Sequence, residues 1–592
     1  MLKLLKNLKP YYLSITGIIL LVFLQSISEL FLPYLMSDIV DIGVVNGDIN
    51  FILQIGGRML LIAVIALMAS IYGSYLASRV STGFARDLRV LVFSKVESFS
   101  LQEFNEIGTA SLVVRTTNDI TQIQQLTSTL LRMFLRAPLL FVGGIIMAVY
   151  KNAELALLLM VILPILAVII YFVAQKSMSL FQSMQIKLDQ LNLVLREYLT
   201  GIRVIRAFNK EEHEKKRFNK SNFELTDTAK KVNTLMVMLM PLMTLILNLT
   251  IVAIIWLGSI RIEYGRMQVG DLMAFVQYAS QIMFSLIMFS MMFVLIPRAS
   301  VSAVRINEVL DIEPKIKDAV FSEQRALGTH DNGNFQNIRI FKNRTGYLKF
   351  DKVSFAYQGA AEYTVKDISF QAKPGAVTAI IGSTGSGKST LINLIPRFYE
   401  VSRGSISIDG IDIRDIPQER LHNIIGLVPQ KPILFTGTIA ENISFGNHNI
   451  SYEEIKRVAE IAQASEFINR MPQGYDSLIT QGGTNLSGGE KQRLSIARAL
   501  AQHPDIFILD DSFSALDFKT EANLKKELKA ELKDKTVIII AQRVTTVMDA
   551  EQIVVLDKGR IVGMGKHYDL LKSCSVYKEI VASQLTSEDI YE

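Results

Sequence analysis

Six apolar stretches, near 12–35, 54–78, 130–150, 155–175, 236–260 and 271–297, constrain this chain more than any other feature. Crossing a hydrocarbon core of roughly 30 Å takes about 20 helical residues, and each stretch is long enough. A soluble fold has no use for six such runs, whereas a membrane admits them as helices that satisfy their own backbone groups. Mean hydropathy is +0.30 over the chain, and the apolar content is concentrated in its first half. The pattern therefore predicts a membrane domain over 1–310, a polar linker over 311–346 and a soluble domain over 347–592. The first stretch follows Lys3, Lys6 and Lys9, as a signal peptide would. It is too long for a signal-peptide core and lacks a small-residue cleavage site, so a retained helix is expected.

Basic residues set the expected orientation. Segment 79–136 carries Arg79, Arg86, Arg89, Lys95, Arg115, Arg132 and Arg136, and segment 176–231 is denser still. Loop 36–53 has no Lys or Arg and holds Asp38, Asp41 and Asp48. Arg261 and Arg266 argue weakly the other way. By the positive-inside rule both termini, the soluble domain and the two long basic segments face the cytoplasm of an inner or plasma membrane. Those segments have apolar residues at three- and four-residue spacing, as in Leu188 to Phe208. They are read as membrane helices that continue into the cytoplasm and turn near Phe104–Asp119 and Arg206–Phe218. The single cysteine, Cys574, excludes an internal disulfide and a cysteine-based metal site.

In the soluble half, Gly382, Ser383, Thr384, Gly385, Ser386, Gly387, Lys388 and Ser389 fit the phosphate-loop pattern at every fixed position. The flanks agree. Val377 to Ile381 is a β-branched run, and Ser389, Thr390 and the residues to Ile395 open a helix ended by Pro396. Glycines let backbone N–H groups converge on an anion, and the helix N-terminus adds partial positive charge. Lys388 would reach the β- and γ-phosphates and Ser389 would ligate Mg²⁺, so a nucleoside triphosphate is the expected ligand. Tyr357 could stack on adenine. Gln430 follows a strand end, where an amide could touch Mg²⁺. Asp510 ends the apolar strand from Ile506, a usual place for a magnesium ligand. Ser487, Gly488 and Gly489 open a second helix, running to Leu500. One nucleotide cannot easily use both helix starts of one small domain, which favours ATP held between two chains.

Together these elements resemble the ATP-binding cassette: the phosphate loop with Thr390, Q-loop Gln430, signature Leu486–Glu490, magnesium aspartate Asp510, and D-loop Ser514, Ala515, Leu516 and Asp517. Tyr357 matches the adenine-stacking position. The six-helix half, with Phe104, Gly108, Arg115, Asp119 and Gly201–Phe208, resembles an ABC exporter half-transporter. The resemblance implies a multi-pass α-helical membrane domain of ABC exporter type followed by an α/β P-loop NTPase domain. It further implies an ATPase that uses ATP and Mg²⁺ to drive alternating access, working as a pair of halves.

Two catalytic positions depart from the family pattern. Where the family has a glutamate after the magnesium aspartate, this chain has Asp511; where it has a switch histidine, this chain has Gln542. Asp is one methylene shorter, and misplacement by roughly 1 Å can cost ~10²-fold in rate. Gln can hydrogen-bond a phosphate but cannot titrate or carry charge. A site that binds ATP and hydrolyses it slowly is expected. The intact Ser487, Gly488 and Gly489, with Glu490 in place of the commoner Gln, would serve the ATP of a partner. The resemblance is thus to the degenerate-site subunit of a bacterial heterodimeric multidrug exporter.

Substrate signals are fewer. Glu29 lies inside the first apolar stretch, where an ionisable residue is a site candidate. Met236, Met238, Met240, Met243, Met283, Met288, Met291 and Met292 put adaptable side chains on the last two stretches. Amphipathic drugs or lipids are the expected cargo, membrane lipid the surroundings, and no nucleic acid partner is expected. No peptidase-like segment precedes the first stretch, which argues against a peptide-processing exporter. A homodimeric lipid flippase and an ATP-gated channel or regulator are the alternatives.

Overall fold

The computed structural model describes residues 1–316, 345–447 and 449–585. Most of the expected linker, 317–344, lies outside the described residues. The described chain separates into two compact units: Met1–Glu97 with Ile107–Ile312, and Ser98–Glu106 with Glu313–Glu592.

The first unit is helical. Among the described residues, six helices are long and apolar enough to cross a membrane: Lys3–Val44, Ile49–Glu97, Thr109–Lys151, Ala153–Ala207, Glu211–Glu263 and Val269–Phe289. The last of these belongs to a helix that continues to Asp311. Apolar side chains alone could not fix the relative rotation of such helices, because lipid is as apolar as they are. Small residues and polar ties do so. A Cβ on Gly143 would sit 2.3 Å from Leu30 Cδ1, and one on Gly144 would sit 2.7 Å from Ile282 Cγ1. Buried Tyr278 donates its hydroxyl to the Leu30 carbonyl at 3.0 Å. Lys151 pairs with Asp271 at 2.7 Å and packs over the Tyr34 ring. Near the other end of this unit, buried Asp119 accepts from Ser302 at 2.7 Å, and Arg115 donates to the Arg305 carbonyl at 3.0 Å.

The turns of the two long basic segments differ in how well the sequence located them. The second falls between the helices ending at Ala207 and starting at Glu211, with Asn209 at φ 50°, inside the expected 206–218. The first begins earlier than the expected 104–119 and continues into it. Its helix ends at Glu97, a short helix runs Leu101–Ile107, and Gly108 at φ 80° starts the next. Glu103 explains the early turn, because its buried carboxylate accepts the Ser100 N–H and hydroxyl at 2.7 and 2.6 Å.

The second unit is α/β. Its strands are β1 Leu348–Phe355, β2 Val365–Ala372, β3 Val377–Gly382, β4 Arg403–Ile408, β5 Ile411–Asp412, β6 Ile425–Val428, β7 Gly437–Thr438, β8 Leu478–Ile479, β9 Ile506–Asp510, β10 Thr536–Ile540, β11 Gln552–Asp557 and β12 Arg560–Gly565. The main sheet has the order β12-β11-β3-β10-β9-β6. All its pairings are parallel except β11 with β12. Buried on both faces, β9 and β10 are apolar apart from Asp510, which ends β9, and Thr536, which begins β10. A second sheet, β2-β1-β4-β5, is antiparallel. Parallel pairing brings the carboxyl ends of β3, β6, β9 and β10 to one edge, where such sheets hold their ligands.

Candidate functional site

That edge carries the residues singled out by the sequence. After β3 the chain turns through Gly385, at φ 81°, and Gly387, at φ 98°, into the helix Lys388–Leu394. Both values lie in the left-handed region that favours glycine. A Cβ on Gly387 would also meet Val365 Cγ1 at 2.7 Å, and one on Gly382 would meet the Leu556 carbonyl oxygen at 2.2 Å. Ser383, Thr384, Gly385 and Ser389 are exposed, while Ser386, Gly387, Lys388 and Thr390 are buried. The Lys388 ammonium donates to the carbonyls of Gly382 and Ser383, at 2.6 and 2.8 Å. Burial lowers its pKa, opposed by Asp511 and Asp510. Ser386 Oγ is buried without a hydrogen-bond partner among the described residues.

Asp510 ends β9. Burial, then the neighbouring Asp511 charge, pushes its carboxyl up to about 6 against the pull of Lys388. An arriving cation would favour its ionised form. Asp511 adopts φ 45°, and its pKa is also raised by burial. One of its oxygens accepts from the Gln430 amide at 3.2 Å and from the Gln542 amide at 3.1 Å. The structure thus gathers both family departures and the Q-loop glutamine around one carboxylate. Behind them, Gln584 donates to the Gln542 carbonyl and accepts from the Val544 N–H, both at 2.8 Å.

Tyr357 stands edge-on to Phe355 and Tyr399, and its hydroxyl lies 3.1 Å from Thr390 Oγ1. Its ring is 38% exposed, leaving surface for a flat ligand. Ser487 begins the helix Gly488–Leu500 as a capping box with Glu490. Glu490 Oε2 accepts the Ser487 N–H and hydroxyl at 2.8 Å each. Burial raises the Glu490 pKa, but these hydrogen bonds outweigh it, and the net direction is down. Gly488 has open space where a side chain would go, and a Cβ on Gly489 would meet the Ala515 carbonyl oxygen at 3.1 Å. Asp517 caps the helix Phe518–Glu531 through Thr520, while Ser514 donates to the Asp511 carbonyl at 2.9 Å. Leu486 packs against the main core, to which Leu516 belongs.

The exposed glycine turn, the buried lysine and the carboxylate at one sheet edge fit a nucleoside triphosphate with Mg²⁺. Among the described residues no group of three or more His, Cys, Asp or Glu is placed to hold a metal. Mg²⁺ bound with phosphate needs only one or two protein carboxylates.

The comparisons agree with this geometry. The model of the ABC transporter transmembrane region matches residues 15–286, and the ABC transporter model matches 365–514. An uncharacterized ABC transporter ATP-binding protein of Bacillus subtilis is 40% identical over 587 residues, 99% of each chain. This chain belongs to the ABC transporter family. An uncharacterized ABC transporter ATP-binding protein of Mycobacterium tuberculosis is 39% identical over 588 residues, 99% of this chain and 98% of the relative. The ATP-dependent lipid A-core flippase of Desulfotalea psychrophila is 34% identical over 543 residues, 91% of each. The structure of a bacterial Atm1-family ABC exporter with ATP bound is 27% identical, with a TM-score of 0.78 over 97% of this chain and 98% of that one. The ABC exporter half-transporter described here thus joins six membrane-length helices to an ATP-hydrolysing cassette.

Sequence reasoning missed several supports of the cassette. Asn105 donates to the Tyr399 hydroxyl at 3.1 Å, tying Ser98–Glu106 to the aromatic group that holds Tyr357. Arg498 donates to the Ile433 and Asn442 carbonyls and to Asn442 Oδ1, each at 2.8 Å, and packs over Phe435 and Phe445. Burial lowers its pKa to about 10. These contacts join distant positions, and only the arginine inside an otherwise apolar helix face signalled one of them.

In the membrane unit, Glu29 is ion-paired to Arg136, a partner the sequence did not indicate. The methionines divide. Met243 and Met283 fill a buried cluster with Leu166 and Ile170, and Met238 and Met240 are exposed. The Met291 side chain lies outside the described residues.

Proposed function

We propose that this chain is the degenerate-site half of a heterodimeric exporter moving amphipathic drugs or lipids from the cytoplasm or inner leaflet. The observation that carries this reading is the Asp511 carboxylate, which accepts from both Gln430 and Gln542. The two amides tether one oxygen of a side chain one methylene shorter than the family's glutamate, which misplaces it for an attacking water, and neither amide can replace a titrating imidazole. In this reading Lys388 and the phosphate loop hold ATP, Tyr357 stacks on its base, and Ser389, Gln430 and Asp510 hold Mg²⁺. The bound Mg²⁺ would neutralise phosphate charge. Asp511 and Gln542 leave the chain's own site slow, while Leu486, Ser487, Gly488, Gly489 and Glu490 complete the partner's site beside the D-loop Ser514–Asp517. The cassette, the residues 311–346 that join it to the membrane domain, and both termini lie in the cytoplasm, supported by the basic segments 79–136 and 176–231.

The test compares two variants in the purified complex. Asp511→Ala should lower ATPase turnover less than about twofold, whereas Ser487→Ala should lower it by ~10²-fold, as loss of a phosphate-aligned donor does. Equal losses would contradict the assignment. A homodimeric lipid flippase is the second reading, favoured by the 34% identity to the Desulfotalea psychrophila flippase. It predicts that the isolated chain is a fully active ATPase.

A further inference from the structure

A polar cluster interrupts the apolar packing of the membrane unit. Gln25, Ser26 and Ser28 are buried on the first long helix, beside Glu29. Arg136 of the third helix donates to both Glu29 oxygens, at 2.6 and 2.7 Å, and Gln25 donates to the same carboxylate at 3.1 Å. Gln281 of the sixth helix donates to the Glu29 carbonyl at 3.2 Å. Glu29 lies on the membrane-length helix Lys3–Val44, inside the apolar stretch 12–35 and six residues from its end, about 9 Å of rise, which puts the pair inside the apolar span.

Charges at that depth are costly and are kept by pairing or by function. Pairing alone leaves two features of this cluster unaccounted for. Arg136 Nε and Gln281 Oε1 are buried with no hydrogen-bond partner among the described residues, so one donor and one acceptor remain over. The side chains of Arg136 and Glu29 also stay 32% and 26% exposed, within reach of a bound molecule.

We propose that Glu29, Arg136 and Gln281 form a binding site for the zwitterionic group of an amphipathic substrate; this rests on the exporter reading above. A simple cation could pair with Glu29 only by leaving Arg136 uncompensated, and a simple anion would strand Glu29. Either exchange is strongly unfavourable away from water. A zwitterion exchanges one ion pair for two and leaves the net charge of the site at zero. Its anionic group meets Arg136, including the free Nε, and its cationic group meets Glu29 and the free Gln281 oxygen. A zwitterionic lipid headgroup and a water-borne zwitterionic drug share this chemistry.

The full chain, reconstituted in liposomes with the partner it copurifies with, separates these cases. Initial ATP-dependent transport is measured for tetramethylrhodamine, a zwitterion, and for its methyl ester, a cation. Acyl-labelled phosphatidylethanolamine is likewise compared with acyl-labelled phosphatidylglycerol. In Glu29→Gln/Arg136→Gln, which leaves no buried charge unpaired, the zwitterion-to-ion rate ratio should fall about tenfold, the size of one lost charge-assisted contact. A fall in the lipid arm alone assigns the site to headgroups, and a fall in the dye arm alone assigns it to water-borne zwitterions. Arg136→Lys, which keeps the charge but lacks the free Nε and the planar guanidinium, should lower the same ratio and serves if the double variant does not assemble. An unchanged ratio makes the pair a strut between helices and overturns the proposal. Wild-type transport of the ester or of phosphatidylglycerol, with neither zwitterion moved, overturns it and leaves the exporter reading standing. Failure to move any probe would sink that reading as well.

Discussion

At the scale of single residues, the cassette depends on a few side chains held where burial makes their charge matter. Lys388 is turned back onto its own loop carbonyls, which holds its ammonium at the mouth of the glycine turn. Lys388→Ala should abolish labelling of this chain by a photoreactive ATP analogue; unchanged labelling would count against the phosphate role. Asp511 and Gln542 lie within one hydrogen bond of each other, so their effects should couple. Changing both, Asp511→Glu with Gln542→His, should raise turnover at this chain's own site by at least about tenfold, since proton transfer by a well-placed group contributes ~10²–10⁴-fold. ATPase of a complex whose partner site is disabled reads this directly, and no gain would mean the impairment lies elsewhere. Buried His567, whose Nδ1 lies 2.7 Å from the Tyr577 hydroxyl, has its pKa lowered by burial. The unfolded chain therefore binds a proton before the folded one does. Its contribution to stability is complete above the ordinary histidine value of about 6.5 and shrinks as pH falls below it. Hydrogen-exchange protection in the helix Ser575–Ala582, taken relative to the intrinsic rate at each pH, should fall below that pH, and less so in His567→Phe.

At the scale of elements, helix starts and strand ends carry the chemistry. Glu490 gives the signature helix a good cap while placing a carboxylate where a partner's phosphate would approach. Glu490→Gln can keep the capping hydrogen bond to the Ser487 hydroxyl and removes that charge. It should lower the complex's KM for ATP by about two- to fivefold, the size of one charge at a helix end. An unchanged KM would place the carboxylate out of reach of the nucleotide. The strands were legible because β9 and β10 each carry four consecutive apolar residues between turn signals, as a parallel sheet requires. The phosphate loop was legible because its residues adjoin in sequence. Less legible was the meeting of Gln430, Gln542 and Asp511, since 81 and 31 residues separate the pairs. The early turn at Ser98–Ser100 was hidden because Leu101–Ile107 remains helical, and the buried Glu103 that tucks it in looks like any surface acid. In the membrane, Glu29 stood out as a lone carboxylate, but its partner 107 residues away looked like one more basic residue of a cytoplasmic segment.

At the scale of the whole molecule, six membrane-length helices precede a cassette whose binding elements are intact and whose catalytic pair departs from the family pattern. Such a chain is expected to need a second half that supplies a glutamate and a histidine. In the heterodimer proposed above, productive hydrolysis would use the partner's phosphate loop against Ser487, Gly488 and Gly489 of this chain. The chain on its own should bind Mg-ATP yet turn it over slowly, because any homodimer contains two copies of the Asp511/Gln542 site. The most direct measurement is ATPase activity in lipid for the isolated full chain and for the complex with the half-transporter it copurifies with. Turnover should be at least ~10²-fold lower for the isolated chain, the deficit that a catalytic group misplaced by roughly 1 Å produces. Brisk, substrate-stimulated hydrolysis by the isolated chain would contradict the heterodimer and favour the homodimeric flippase instead.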